Sequence, residues 1–301
     1  MNNISLQIQT VLYKNSLEPL MRSLKSIQNA IRIYRDSDIM LSDVQFCYGD
    51  ASPDPLFDEE TVTNIQKEYE NYFSFNYHFF GFNSGSAKGH NILGTDCDTD
   101  YMLLMNPDIL FCPRFLVEIL RPFDEMENVG IVEGRQTPIE HPKDYDKESG
   151  ETSWSSGACT FIKTELFHKI GGYDSDTFFM YCDDVDLSWR IRLLGKKIIY
   201  QPRAMVFHAK RLSEEGAWQP TDAEKYYSME AALYMLYKWS DQKKYKKLLK
   251  TLSNSADENA LKVVSEFKTR EKNGEMPMPV KNAEMVTTFT DDNYMPTRFV
   301  M

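Results

Sequence analysis

A few short segments carry side chains whose types and spacing could do chemistry. Asn106-Pro107-Asp108 follows the apolar run Tyr101-Met102-Leu103-Leu104-Met105. A carboxylate at a strand end, held by a proline-stiffened turn, suits a divalent cation that bridges two phosphates. The same residues are also common in a plain turn and helix entry. Met180-Tyr181-Cys182-Asp183-Asp184-Val185-Asp186-Leu187 crowds carboxylates that helical spacing cannot put on one face. They complement a helix N-terminus at about 0.3–1 kcal/mol each. Neighbouring carboxylates also raise one another's pKa, which is how a general base is tuned. His208 closes the run Ala204-Met205-Val206-Phe207. It reads either as a satisfied structural histidine or as a neutral imidazole that completes a metal shell with Asp108. Asn83-Ser84-Gly85-Ser86-Ala87-Lys88-Gly89-His90-Asn91 offers small residues at a helix N-terminus, where backbone can approach an anion. It has neither the GK[ST] of a Walker loop nor the GxGxxG fingerprint.

Apolar periodicity indicates the elements that must position these groups. Strands are predicted over Leu6–Tyr13, Val44–Tyr48, Tyr77–Phe82, Tyr101–Met105, Val129–Glu133 and Ala158–Ile162. Helices are predicted over Leu17–Ala30, Glu59–Tyr69, Pro113–Phe123, Thr164–Ile170, Asp184–Leu194 and Ala223–Trp239, with Leu20, Leu24, Ile27 and Ile31 forming one face of the first. Residues 136–156 read as a polar loop, Lys197–His208 as a strand pair around Pro202, and the last stretch as helix followed by a polar tail. Strands alternating with helices predict an α/β fold, a mostly parallel central sheet with helices on both faces. Ligands of such sheets bind beyond the carboxyl ends of the strands, where Asp50, Asn83 and Asp108 fall.

Composition narrows the partners. The 301 residues carry a formal net charge of −11, which disfavours phosphate backbones, so no nucleic acid is expected. A phosphorylated ligand would then need local positive charge, such as a metal ion. Cys47, Cys97, Cys112, Cys159 and Cys182 are scattered and form no CxxC pair, as expected of reduced thiols. The first residues lack the pattern of a signal peptide, and no run approaches the roughly 18 apolar residues of a membrane span. The expectation is a cytoplasmic protein.

Taken in order, these segments resemble glycosyltransferase family 2, in particular its bacterial rhamnosyltransferase-like branch. The resemblance runs from about Thr10 to His208, roughly two-thirds of the chain. Thr10-Val11-Leu12-Tyr13 resembles the family's opening strand. Gly49-Asp50-Ala51-Ser52-Pro53-Asp54 sits where the family has an Asp-Asn-x-Ser turn. Asn83 to Asn91 resembles its Asn-x-Gly…Asn loop, and Asn106-Pro107-Asp108 the Asn-Pro-Asp form of its metal-binding DxD motif. Trp154-Ser155-Ser156-Gly157-Ala158 and Gly171-Gly172-Tyr173-Asp174 match its acceptor-side segment. Asp183-Asp184-Val185-Asp186-Leu187 with Arg190 matches its Glu-Asp-x-Asp-Leu…Arg motif, and Pro202 with His208 its closing Pro…His. Two departures stand out: Gly49 replaces the first Asp of the base-binding turn, and Asp183 the usual Glu.

The resemblance implies a GT-A fold, Rossmann-like, over residues 1–215, with a helical extension over 216–301. It implies an inverting hexosyltransferase that moves rhamnose or another hexose from a dTDP- or UDP-sugar to a hydroxyl of a glycan or lipid-linked acceptor, in cell-surface polysaccharide synthesis. In this reading Asp184 is the base, with Asp183 as the fallback. Asp108 and His208 hold Mn2+ or Mg2+. Thr10, Tyr13, Asp50, Ser52, Asn83, Gly85, Asn91 and Asn106 bind the donor, and Trp154, Gly157 and Arg190 the acceptor. Lys238, Lys243, Lys244, Lys246, Lys247 and Lys250 read as a solvated helix face beside core aromatics. The alternative is peripheral docking on anionic headgroups at the inner face of the membrane. Competing functions are a non-catalytic sugar-binding pseudoenzyme and a sugar nucleotidyltransferase; residues 10–25 lack the Gly-rich basic signature of the latter.

Overall fold

The computed structural model describes residues 4–37, 41–140, 144–210, 214, 219–240 and 242–289. Its strands are β1 (Ile4–Leu12), β2 (Leu41–Asp50), β3 (Ser74–Phe79), β4 (Tyr101–Met105), β5 (Ile109–Phe111), β6 (Val129–Thr137), β7 (Glu151–Thr152), β8 (Cys159–Lys163) and β9 (Lys197–His208). Its helices are α1 (Leu17–Arg35), α2 (Glu59–Tyr69), α3 (Gly85–Gly94), α4 (Phe115–Glu125), α5 (Thr164–Lys169), α6 (Asp183–Leu193), α7 (Asp222–Trp239), α8 (Gln242–Ser253) and α9 (Glu258–Asn273). The strands form one sheet in the order β3-β2-β1-β4-β8-β6-β9-β5, with β7 against β9.

Strand direction decides where chemistry can collect. β1, β2, β3 and β4 run parallel, so the turns after Leu12, Asp50 and Met105 share one edge. β8 is antiparallel to β4, with Met105 opposite Cys159, so the residues that lead into β8 reach the same edge. β6 is antiparallel to β8 and parallel to β9, which brings the ends of both there as well. The short β5 then pairs Ile109 with His208, setting Asp108 beside the imidazole.

Several elements differ from the sequence expectation. The third strand is Ser74–Phe79 rather than 77–82. Phe80 and Phe82 are apolar without being strand: Phe80 folds over Gly49, where a Cβ would lie 2.4 Å from its ring. β6 runs on through Gln136 into the expected loop. Lys197–His208 is one strand and not two. Its pairing jumps from Gln201 to Met205 against adjacent residues of β6, so 202–204 bulge where Pro202 cannot donate to a ladder.

Helices α1 and α4 cover one face of the sheet. Leu20, Leu24, Ile27 and Ile31 are 0–1% exposed in the main core, each contributing about 1.5–3 kcal/mol by burial. On the other face lie α3, α5 and α6. The outer side of α6 packs with α7, α8 and α9 in a second apolar cluster that includes Trp154, Trp189, Trp239 and Phe267. The helical extension therefore shares a core with the acidic helix.

Polar residues also hold α3 to β1. Gln7 and Gln9 point away from the main core. Gln9 Nε2 donates to the His90 carbonyl at 2.9 Å and meets His90 Nδ1 at 3.0 Å, and Gln7 Nε2 donates to Gln9 Oε1 at 2.7 Å. Burial alone pushes the His90 imidazole down to about 4. The unfolded chain then takes up this proton first as the pH falls, so the stability His90 provides is complete above about 6.5 and fades toward pH 4. Urea denaturation of wild-type and His90→Gln proteins between pH 7 and 4 checks this. The wild type should lose about 3 kcal/mol more than the variant over that range, and parallel losses would refute it.

Candidate active site

The site is assembled from the ends of β4, β6 and β9 and the start of α6. His208 is 7% exposed. Its Nδ1 meets Gln136 Oε1 at 2.8 Å, and Gln136 Nε2 donates to Ser156 Oγ at 3.1 Å. An amide oxygen can only accept, so Nδ1 carries a proton, and Nε2 is the ring nitrogen that faces the cleft. Nε2 stands 3.4 Å from Asp108 Oδ1 and 3.5 Å from Asn106 Nδ2. A partly exposed carboxylate beside an imidazole whose remote N–H is held by an amide is a donor pair suited to a divalent cation. Among the described residues no cluster of three or more His, Cys, Asp or Glu could hold a metal by itself, so a cation here needs ligands from substrate or water.

The segment 156–158 joins this pair to the acidic helix. Ser156 accepts from Gln136. The Gly157 N–H donates to Asp184 Oδ2 at 2.9 Å, and the Ala158 carbonyl accepts from the Asn106 N–H at 2.9 Å. Asp184 Oδ1 also accepts from the Val185 N–H at 2.8 Å. Asp183 and Asp184 are 8% and 5% exposed. Ahead of them Tyr181 and Cys182 both have positive φ, 68° and 58°. Consecutive non-glycine residues in this region store strain and recur at functional sites. Here the kink swings α6 so that its acidic N-terminus meets Gly157.

In the loop after β3, Gly85 has φ +65°, and a Cβ there would lie 2.6 Å from the Phe179 carbonyl oxygen, so only glycine fits. Asn83, which is exposed, accepts from the Gly85 N–H at 3.2 Å. Tyr13 is 47% exposed.

Other residues expected to bind ligand have structural places instead. Thr10 lies inside β1 at 0% exposure. Asp50, also 0% exposed, accepts from the Ser52 and Leu56 N–H groups and from the Tyr77 hydroxyl. Ser52, 1% exposed, accepts from the Lys14 N–H. Asp50 and Ser52 thus fold the loop after β2 against the end of β1 and present no free surface. Asn91 exchanges two 2.8 Å hydrogen bonds with the Tyr173 backbone. Trp154 is 1% exposed in the second core. Arg190 grips Asp186 at 2.7 Å and the Ile170 carbonyl at 2.9 Å. Asp50, Ser52 and Asn91 are held by hydrogen bonds within the fold, whereas the buried Thr10 Oγ1 and Arg190 Nη2 have no hydrogen-bond partner among the described residues.

Lys238 also moves. It is no part of a surface patch: at 7% exposure its ammonium bridges Asp174, at 2.6 Å, and Asp186. Asp186, at 0% exposure, also accepts from Trp239 Nε1 at 2.8 Å. Burial opposes ionisation of Asp174, but Lys238 and Thr177 together hold its carboxyl below the usual range. Gln136, Ser156 and Lys238 were not singled out for the site by sequence. Gln136 lies just past a predicted strand end, and residues 134–137 carry no apolar pattern that would have extended it.

No protein-family model matches the chain. Its architecture is that of the GT-A glycosyltransferases. GalNAc-T7, solved with UDP, GalNAc and Mn2+, superposes with a TM-score of 0.62 at 14% identity, over 92% of this chain and 56% of that one. The mannosyltransferase PcManGT from Pyrobaculum calidifontis, solved with GDP-Man and Mn2+, gives 0.56 at 13% identity, over 94% and 83%. S. aureus TarS residues 1–349 gives 0.54 at 14% identity, over 90% and 72%. Within that class the sequence resembles the rhamnosyltransferase branch of glycosyltransferase family 2. It is 40% identical over 57 residues to a Mycobacterium tuberculosis N-acetylglucosaminyl-diphospho-decaprenol L-rhamnosyltransferase, covering 19% of this chain and 18% of that protein. It is 26% identical over 141 residues to the Escherichia coli rhamnosyltransferase WbbL, covering 37% and 52%. The chain thus spans about half the length, or less, of the curated relatives it matches.

Removing one partner of a buried ion pair strands the other charge, at about 3–5 kcal/mol. Lys238→Met should therefore lower unfolding free energy by several kcal/mol in urea titration. A loss under about 1 kcal/mol would show that the Asp174–Lys238–Asp186 bridge does not hold the extension in place.

Proposed function

We propose that this protein is an inverting, metal-dependent glycosyltransferase. It would move a hexose, rhamnose being the favoured case, from a nucleoside diphosphate sugar to a hydroxyl of a glycan or lipid-linked acceptor in cell-surface polysaccharide synthesis. One observation carries the reading: Asp108 and His208 are wired to Asp184 through Gln136, Ser156, Gly157 and Ala158. The partial likeness to rhamnosyltransferases supports the sugar and a lipid-linked acceptor. Neighbours solved with Mn2+ and UDP or GDP-Man support the donor class and the cation.

Asp108 and His208 Nε2 would hold Mn2+ or Mg2+, which supplies positive charge against the departing diphosphate. In a chain of net charge −11 no diffuse basic field does that work. Gln136 keeps the His208 proton on Nδ1, so Nε2 stays a ligand. Asn106 stiffens the turn through its N–H to Ala158. Asp184, steadied by the Gly157 and Val185 N–H groups, would accept the proton of the attacking hydroxyl. Asp183 is the alternative carboxylate. Asn83, Gly85 and Tyr13 line the donor side. A lipid-linked acceptor would be met at the inner face of the membrane.

The test is donor turnover. With Mn2+ the wild type should hydrolyse dTDP- or UDP-sugars slowly without acceptor. Asp108→Ala and Asp184→Asn should remove this by at least about 100-fold while both variants remain folded at the assay temperature. A thermal shift that needs Mn2+ and is larger for dTDP than UDP would favour a rhamnosyl donor. Undiminished hydrolysis in both variants would refute the site.

A further inference from the structure

Helix α8 concentrates positive charge in a chain of net charge −11. Its sequence, Gln242-Lys243-Lys244-Tyr245-Lys246-Lys247-Leu248-Leu249-Lys250-Thr251-Leu252-Ser253, holds five lysines and no acid. Helix α9, packed beside it, interleaves Glu258, Glu266 and Glu271 with its bases. At about 100° of rotation per residue, Lys243, Lys246, Lys247 and Lys250 fall within an arc of about 100°. All four are exposed. Tyr245 and Leu252 lie on the opposite side, 6% and 8% exposed in the second core. The apolar face of α8 is thus committed to the protein, and its basic face is turned to solvent.

Exposed apolar side chains lie near the start of this helix. After α9 the chain returns to the junction of α7 and α8. There the Val280 N–H donates to the Lys238 carbonyl at 2.8 Å, and Lys244 Nζ stands 4.7 Å from the Phe289 ring centre. The same segment carries Met278 and Met285, 83% and 73% exposed. Every other exposed large apolar side chain among the described residues is less than half exposed. A flexible thioether side chain suits an irregular apolar boundary. A soluble polyanion would account for the lysines but not for the methionines. An anionic bilayer takes both, headgroup phosphates for the ammonium groups and the acyl boundary for the thioethers.

We propose that the lysine face of α8, together with Met278 and Met285, docks the protein on an anionic bilayer. The contact is peripheral, because α8 keeps its own apolar face in the core and offers the membrane charge. Each lysine near an anionic surface contributes about 5-fold in affinity, and the attraction fades within a Debye length. This goes beyond the transferase reading and stands without it. For a lipid-linked acceptor, such docking would hold the catalytic domain at the surface where that acceptor lies.

Sedimentation of the full chain with vesicles tests it, using phosphatidylcholine alone or phosphatidylcholine and phosphatidylglycerol in equal parts. At about 0.1 M salt the wild type should bind the mixed vesicles at least about 10-fold better than the neutral ones, and should leave them at about 1 M. Lys243→Gln, Lys246→Gln, Lys247→Gln and Lys250→Gln together should weaken binding at least about 50-fold, whereas the same four positions changed to arginine should stay within about 3-fold of wild type. Met278→Ser with Met285→Ser should weaken it about 10-fold. All these side chains are exposed, so each variant should keep the wild-type urea midpoint. Equal binding to both kinds of vesicle, or binding to neither, would overturn the proposal. So would a glutamine variant that binds within about 2-fold of wild type. A methionine variant that binds like the wild type, in a protein that takes inorganic polyphosphate as tightly as vesicles, would mark a polyanion site and overturn it too.

Discussion

The hydrogen bond from the Gly157 backbone to the Asp184 carboxylate is the contact on which the rest depends. A carboxylate that is 5% exposed needs donors to remain charged, and a hydrogen bond to a charged group contributes about 1.5–3 kcal/mol. The same strap reaches Asn106 through the next carbonyl and Gln136 through the preceding hydroxyl. Three adjacent residues thus fix the distance between the Asn106-Pro107-Asp108 turn and an acidic helix that lie far apart in sequence. The sheet makes this possible. Because β8 enters antiparallel between parallel neighbours, its leading residues arrive at the edge where β4, β6 and β9 end.

Three aspartates in one helical turn repel one another, and the structure separates their duties. Asp186 turns inward, where Arg190, Lys238 and Trp239 balance and satisfy it. Asp184 stays at the helix end facing the strap, with Asp183 buried beside it in sequence. The buried cation comes from α7, so the extension does more than cover apolar surface: it supplies the charge that lets the acidic helix pack. A buried pair of this kind adds little net stability but is costly to break.

Much of the scaffold was legible because burial imposes period. The α1 stripe and the β4 run read directly, since each buries a face that only one geometry can present. β3 was misplaced because Phe80 and Phe82 mimic a strand while serving as a cover and an exposed ring. Within the site, Asp108 and His208 could be paired from their motifs, and the structure sets them 3.4 Å apart. What could not be read was which polar residues the fold itself consumes. Asp50, Asn91 and Arg190 look like ligand-binding types and are spent on backbone and ion-pair contacts. Gln136 fell in an expected loop, and Lys238 read as part of an exposed basic face. Their partners lie 72 and 52 residues away, and no local pattern announces a contact at that range.

The central claim is that the Asn-Pro-Asp turn, the His208 imidazole and the acidic end of α6 border one cleft. Crystals grown with Mn2+ and a nucleoside diphosphate, with anomalous scattering recorded at the manganese edge, test it most directly. The account predicts one peak bridging Asp108, His208 Nε2 and the diphosphate, with the Asp184 carboxylate facing the same bound nucleotide. A manganese peak away from Asp108 and His208, or a nucleotide whose diphosphate lies across the molecule from Asp184, would contradict it.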